Sequence, residues 1–340
     1  MKYPKFLSKN GKIGVCAPSF GSVIEPYVSR MNNAIKTFNE LGHEVVLTEG
    51  VRKHYKASSD TGENRAREFM QLYLDDSVDV IISEAGGEVE YELLEFLNFD
   101  KMLKATPKWF QGYSDNTILV FLLTTLFDTA SIYGVNFPEY GMNKWYTNVQ
   151  DSYDILKGEL SYVTHLKDYE IENHKKEEGH YLDSYNLTER GDITCLSGEK
   201  EFEVKGRVLV GCLDVLSNLV GTKYDKVKEF SNKYKDDGII FFIESCELNV
   251  LAQQRALFQL KSAGWFDNVK AIVIGRPQVS ETLFDVDYKE ANYKELKALN
   301  VPVIIDASFG HISPNFSVIS GSIARVSYKE GSCKIDYILE

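Results

Sequence analysis

Short apolar runs without polar alternation recur along the first third of the chain, separated by segments with helical spacing. Residues 12–17 form such a run and open into Pro18-Ser19-Phe20-Gly21; Met31, Ala34, Ile35, Phe38 and Leu41 then follow helical spacing up to Gly42. Residues 44–48 are a second run, Ala66, Phe69, Met70 and Tyr73 a second helical face, and residues 78–83 a third run. The pattern predicts a helix over 90–97, a strand over 108–111, a helix after it and a strand over 131–135. Continuous apolar strands between amphipathic helices require a parallel sheet covered on both faces. In such a sheet ligands lie beyond the carboxyl ends of the strands. The loops at 18–21, at Gly86-Gly87 and at 112–115 are therefore expected to meet.

One of these loops carries chemistry. In Pro107-Lys-Trp-Phe-Gln-Gly-Tyr-Ser-Asp-Asn-Thr117 a buried strand turns at Gly112 into an apolar helix, with Ser114 at the apex. A serine at a strand-to-helix turn presents its hydroxyl outside the sheet, beside the unpaired N–H groups of the helix start. The same spacing also suits Ser114 or Asp115 as an ordinary helix cap. Gly86-Gly87 lets backbone approach a ligand, and its N–H can complete an oxyanion hole with that of Asp115. A plain turn would use the same dipeptide.

The remainder reads as a second αβ unit. The composition shifts over residues 140–205, where a helix is predicted at 149–156 and residues 167–191 are charged and turn-rich, and the length of 340 residues suits two domains. The expected division is an N-terminal domain over 1–165, a linker with exposed loops over 166–205, and a C-terminal domain over 206–340. The latter opens with a strand at 206–211 and a helix at 213–220. Buried strands are predicted at 238–244, 269–275 and 301–307, a helix at 250–263, and alternating, antiparallel strands at 317–328 and 333–339. Glu244 closes one apolar run, and His311 follows another by a few residues. A Ser, a His and a Glu at strand ends can form a nucleophile, its base and a carboxylate that orients the base. Glu247 competes for the carboxylate role; its other use is to favour the dipole of the next helix.

Composition excludes several functions. A net charge of −12 without a basic stripe gives no face for nucleic acid. No stretch approaches the roughly 20 apolar residues of a membrane span, and the start lacks a signal-peptide core, so a cytoplasmic protein without membrane contact is expected. Cys16, Cys195, Cys212, Cys246 and Cys333 are scattered, as suits reduced thiols. His174 and His180 lack a third metal ligand at a recognisable spacing. No glycine-rich nucleotide fingerprint is present. No cofactor and no metal are expected.

Motifs across nearly the whole chain resemble the LD-carboxypeptidase family of serine peptidases, which includes muramoyltetrapeptide carboxypeptidases and microcin C immunity peptidases. They are Ile13-Gly-Val-Cys-Ala-Pro-Ser19, Gly86-Gly87, the segment from Pro107 to Thr117, Gly221-Thr222, Phe242-Ile-Glu244, Ile274-Gly-Arg276 and Gly310-His311-x-x-Pro314. The resemblance implies a flavodoxin-like parallel-sheet domain joined to a smaller β-rich swivelling α/β domain. It implies a triad of Ser114, His311 and Glu244, an oxyanion hole from Gly87 and Asp115, no metal, a small peptide substrate and a cytoplasmic homodimer. The leading substrate it suggests is an L,D-bond of murein peptides. A peptidyl-nucleotide and a non-catalytic binding role are the alternatives. The chain departs from the family at Val210-Gly-Cys-Leu213 and at Glu88-Val-Glu90-Tyr91, and has no Trp between Trp145 and Trp265.

Overall fold

The computed structural model describes residues 1–339. Its first sheet has the order Val318–Ser320, Ser131–Tyr133, Trp109–Gly112, Val80–Ser83, Lys12–Cys16, Glu44–Leu47. The last five strands run parallel in the flavodoxin-like arrangement, with Lys12–Cys16 between Glu44–Leu47 and Val80–Ser83. Val80–Ser83 and Trp109–Gly112 are buried at every position, which is why neither alternates.

The second sheet has eight strands, and its centre is parallel: Glu201–Cys212, Ile239–Glu244, Val269–Gly275 and Val303–Ala307. Antiparallel strands Ile323–Lys329, Ser332–Ile338 and Tyr162–Thr164 extend one edge, and Thr194–Cys195 closes the other. Helix Val250–Ser262 starts at Asn249, whose side chain accepts the Ala252 N–H, and Gly264 follows it at φ 79°.

Helix Thr117–Thr125 joins the two halves. Thr117 to Thr124 are all buried, because the helix is covered by both sheets. Phe121 stacks on Trp265 at 5.3 Å between ring centroids, and Thr117 Oγ1 accepts the Cys212 N–H at 2.9 Å. The apolar run after Ser114 therefore anchors the turn that carries the serine.

Three sequence expectations change. The strand expected over 317–328 is two strands: Val318–Ser320 pairs with Ser131–Tyr133 in the first sheet, and Ile323–Lys329 stays in the second. Gly321, at φ 82°, makes the turn between them. The segment after Gly87 is a 3-10 helix, Glu90–Glu95, because the Glu90 N–H is pinned by Asp115 Oδ2 at 2.8 Å and the piece is short. Part of 166–205 is docked on the body: Arg276 lies over the Tyr169 ring at 4.5 Å and donates to Leu166 O at 2.7 Å. Among the described residues no helix is long and apolar enough to cross a membrane.

Candidate active site

The three loops expected to meet do so. Phe20 N–H donates to Gly86 O at 3.1 Å, and Ser19 Oγ donates to Asp115 Oδ2 at 2.5 Å. The Asp115 carboxylate thus ties three strand ends together. Burial raises its pKa, against the lowering effect of the Ser19 and Glu90 hydrogen bonds.

Ser114 lies just past Trp109–Gly112 with φ 67°, a left-handed conformation that costs a non-glycine residue about 1–3 kcal/mol. Its hydroxyl caps no helix. Ser114 Oγ stands 2.9 Å from His311 Nε2, and His311 Nδ1 stands 2.8 Å from Glu244 Oε2. The carboxylate accepts the Nδ1 proton, which in the neutral imidazole leaves Nε2 free to accept from the serine hydroxyl. Glu244 ends a strand buried throughout. Glu247 is excluded from this role: it precedes the Asn249 cap in a loop, with an exposed side chain and its N–H on Asp214 Oδ1 at 2.8 Å.

Burial by itself would lower the His311 pKa. The Glu244 carboxylate, helped by Cys246, outweighs it and holds the imidazole well above its ordinary value.

Two glycines leave no room for a side chain, Gly86 against Ser114 and Gly87 against Ser19. A Cβ on Gly86 would lie 2.8 Å from Ser114 Oγ, and one on Gly87 would lie 2.2 Å from Ser19 Oγ. Among the described residues neither the Gly87 nor the Asp115 N–H donates a hydrogen bond within the chain. These are donors free to hold an oxyanion.

Sequence reasoning missed Tyr133 and Asp214. Buried Tyr133 donates to Glu244 Oε1 and accepts the Ser114 N–H at 3.1 Å, so one phenol touches both ends of the Ser114–His311–Glu244 series. Asp214 accepts the N–H groups of Cys246, Glu247 and Leu248 at 2.8–3.1 Å and so shapes the loop after Glu244. The only sequence signal for Tyr133 is a polar tip in an apolar strand; Asp214 lies in the first turn of helix Leu213–Leu219, where an acid is ordinary.

His174 and His180 lie exposed, each against a nearby carboxylate, Glu177 and Asp183 respectively. All five cysteines are free thiols, Cys246 alone being less than fully buried. A cavity of about 920 Å³ opens over Ser114, with Gly87, Asp115, Cys212 and Cys246 in its wall.

The N-terminal domain model of the LD-carboxypeptidase family matches residues 13–134, and the C-terminal domain model matches residues 205–326. The chain belongs to the LD-carboxypeptidase family. Family membership makes it a peptidase-type protein of the carboxypeptidase and MccF group. YocD of Bacillus subtilis (strain 168), which bears a provisional carboxypeptidase name, is 24% identical over 339 residues, covering 98% of each chain. The microcin self-immunity protein MccF of Escherichia coli is 27% identical over 288 residues, covering 82% of this chain and 79% of its own. Among solved structures, an MccF-like protein from Bacillus anthracis superposes with a TM-score of 0.83 at 24% identity, covering 99% of this chain and 100% of its own. An MccF-like protein from Streptococcus pneumoniae in complex with AMP gives 0.80 at 23% identity, covering 96% of this chain and 99% of its own. These structures share the two-domain fold.

Proposed function

We propose that this family member is a serine-type carboxypeptidase that hydrolyses an amide near a free C-terminus, with an L,D-bond of a murein peptide as its substrate. The observation that carries the proposal is the unbroken series Ser114 Oγ, His311, Glu244, at 2.9 and 2.8 Å.

His311 Nε2 takes the hydroxyl proton as Ser114 Oγ attacks the carbonyl carbon. The Gly87 and Asp115 N–H groups hold the oxyanion. His311 then protonates the leaving amine, and water, activated by the same imidazole, frees the acyl group from Ser114. Glu244 keeps the imidazole in the reactive tautomer and offsets its charge.

The cavity wall supports a peptide over a nucleotide. Its charged residues are Glu88, Glu92, Glu95, Asp115, Asp214 and Glu247, and among the described residues no lysine or arginine lines it. Of these, Glu92 is neutralised by Arg65 at 2.5 Å. Burial raises the Glu88 pKa, and its neighbours Glu247, Asp115 and Asp214 raise it further. Such a wall repels a phosphate and suits a substrate that brings a free amine, as murein peptides with a diamino residue do.

The test is to incubate the protein with a tetrapeptide ending in an L,D-bond, its all-L diastereomer and an aminoacyl-nucleotide, and to weigh the products. Release of the terminal D-residue is the expected result, together with labelling of Ser114 by a serine-reactive probe. Ser114→Ala lowers turnover about 10³-fold or more. Cleavage of the aminoacyl-nucleotide alone would replace the substrate, and unchanged hydrolysis by Ser114→Ala would remove the mechanism.

A further inference from the structure

Cys212 stands beside the candidate active site without a part in the chemistry above. Its strand pairs with Ile239–Glu244 so that Cys212 lies directly opposite Glu244, and its side chain reaches the cavity. The Sγ of Cys212, a carboxylate oxygen of Glu244 and a ring nitrogen of His311 all lie within 4.8 Å of one another. They come from three separate strand ends. A thiolate, an imidazole and a carboxylate together form a donor set for a borderline-soft divalent cation such as zinc.

We propose that Cys212, Glu244 and His311 form an inhibitory site for a thiophilic divalent cation, superimposed on the Ser114–His311–Glu244 series. The inference rests on the reading of His311 as the base. Tetrahedral zinc holds nitrogen, oxygen and sulfur donors at about 2.0–2.3 Å, so on binding the Cys212 sulfur closes in by up to roughly an ångström, while His311 Nδ1 and Glu244 Oε2, now 2.8 Å apart, spread by about half an ångström to admit the ion.

The cation takes the place of the proton between His311 Nδ1 and Glu244 Oε2. That proton passes through solvent to Nε2, and the Cys212 thiol gives its own proton to solvent as the sulfur becomes a thiolate ligand. The net change is one cation bound and one proton released, with no change of oxidation state. A water completes the coordination. With its proton on Nε2, the imidazole can no longer accept from Ser114 Oγ, so bound metal stops acyl transfer while leaving the serine intact.

The full-length protein, freed of metal with a chelator, is titrated with zinc chloride during hydrolysis and separately with cobalt(II) without substrate. Expected results are inhibition reversed by chelator, and a thiolate-to-cobalt charge-transfer band. Cys212→Ser, compared with its own uninhibited rate, requires about 100-fold or more zinc for the same inhibition and loses the band. Ser114→Ala keeps the band, because the serine is not a ligand. Equal zinc sensitivity of Cys212→Ser and the natural chain, or no cobalt band in the natural chain, overturns the inference. Should Cys212→Ser fail to fold, Cys212→Ala is read in the same way. The cobalt arm needs no turnover, so a failure of the peptidase reading and a failure of the metal site give different results.

Discussion

The phenol of Tyr133, from the first sheet, donates a hydrogen bond to the Glu244 carboxylate, at the end of a strand in the second. The same oxygen accepts the Ser114 N–H, so the carboxylate that orients His311 and the backbone that presents Ser114 share one anchor. Tyr133→Phe deletes the donor to Glu244 and leaves the half-buried Ser114 N–H without its partner. Turnover is expected to fall about 10–100-fold with little change in KM, as fits misplacement on the order of an ångström. Without the phenol the carboxylate acts more strongly on His311, so the rising limb of the pH profile moves to higher pH; a limb that stays in place would show that Tyr133 only fills space.

Under the proposed mechanism the raised His311 pKa sets the pH dependence. Nε2 must be unprotonated to accept the serine proton, so activity rises with pH along a limb above the ordinary histidine value. In Glu244→Gln the main raising partner is gone, burial dominates and the limb moves down, while turnover also falls. Stability follows the opposite sign. The raised pKa adds stability fully present below the unfolded value of about 6.5, and this is lost as pH rises through the folded value. Rate profiles and chemical denaturation across that range check both.

Gly86→Ala places a Cβ 2.7 Å from Ser114 Cβ and 2.8 Å from its Oγ. The serine must move, and a loss of at least about 100-fold in turnover is expected while the fold persists. Circular dichroism and reaction with a serine-directed probe separate the two effects.

Phe121→Ala removes the ring that stacks on Trp265 between the two sheets. The expected cost is about 3–5 kcal/mol, measured by denaturant unfolding. The neighbouring half-buried Thr125→Ala, which loses only the hydroxyl bond to the Phe121 carbonyl, changes stability by about 1 kcal/mol or less.

The family, the parallel character of the first sheet and the meeting of three loops were legible in the residues. Continuous burial of Val80–Ser83 and Trp109–Gly112 leaves a local apolar signature, and Gly86, Gly87 and Gly112 mark where backbone must turn or approach. The choice of Glu244 over Glu247 was legible only from the Phe242-Ile-Glu244 motif and not from local pattern, since the two lie three positions apart and only the Asn249 cap shows that Glu247 lies outside the helix. The exchange of Val318–Ser320 into the first sheet was equally hidden, because its apolar residues suit either sheet.

The amino-acid order by itself determined the alternation of strand and helix, because hydrophobic periodicity acts over a few neighbouring residues and is written locally. It also determined which strand ends carry a hydroxyl, a carboxylate and an imidazole. The tertiary structure decided their union: Ser114 and His311 lie 197 positions apart and meet at 2.9 Å only because helix Thr117–Thr125 packs between both sheets. The same packing set Tyr133 and Cys212 beside Glu244. Contacts between distant segments depend on how whole faces bury one another, and no local pattern encodes that.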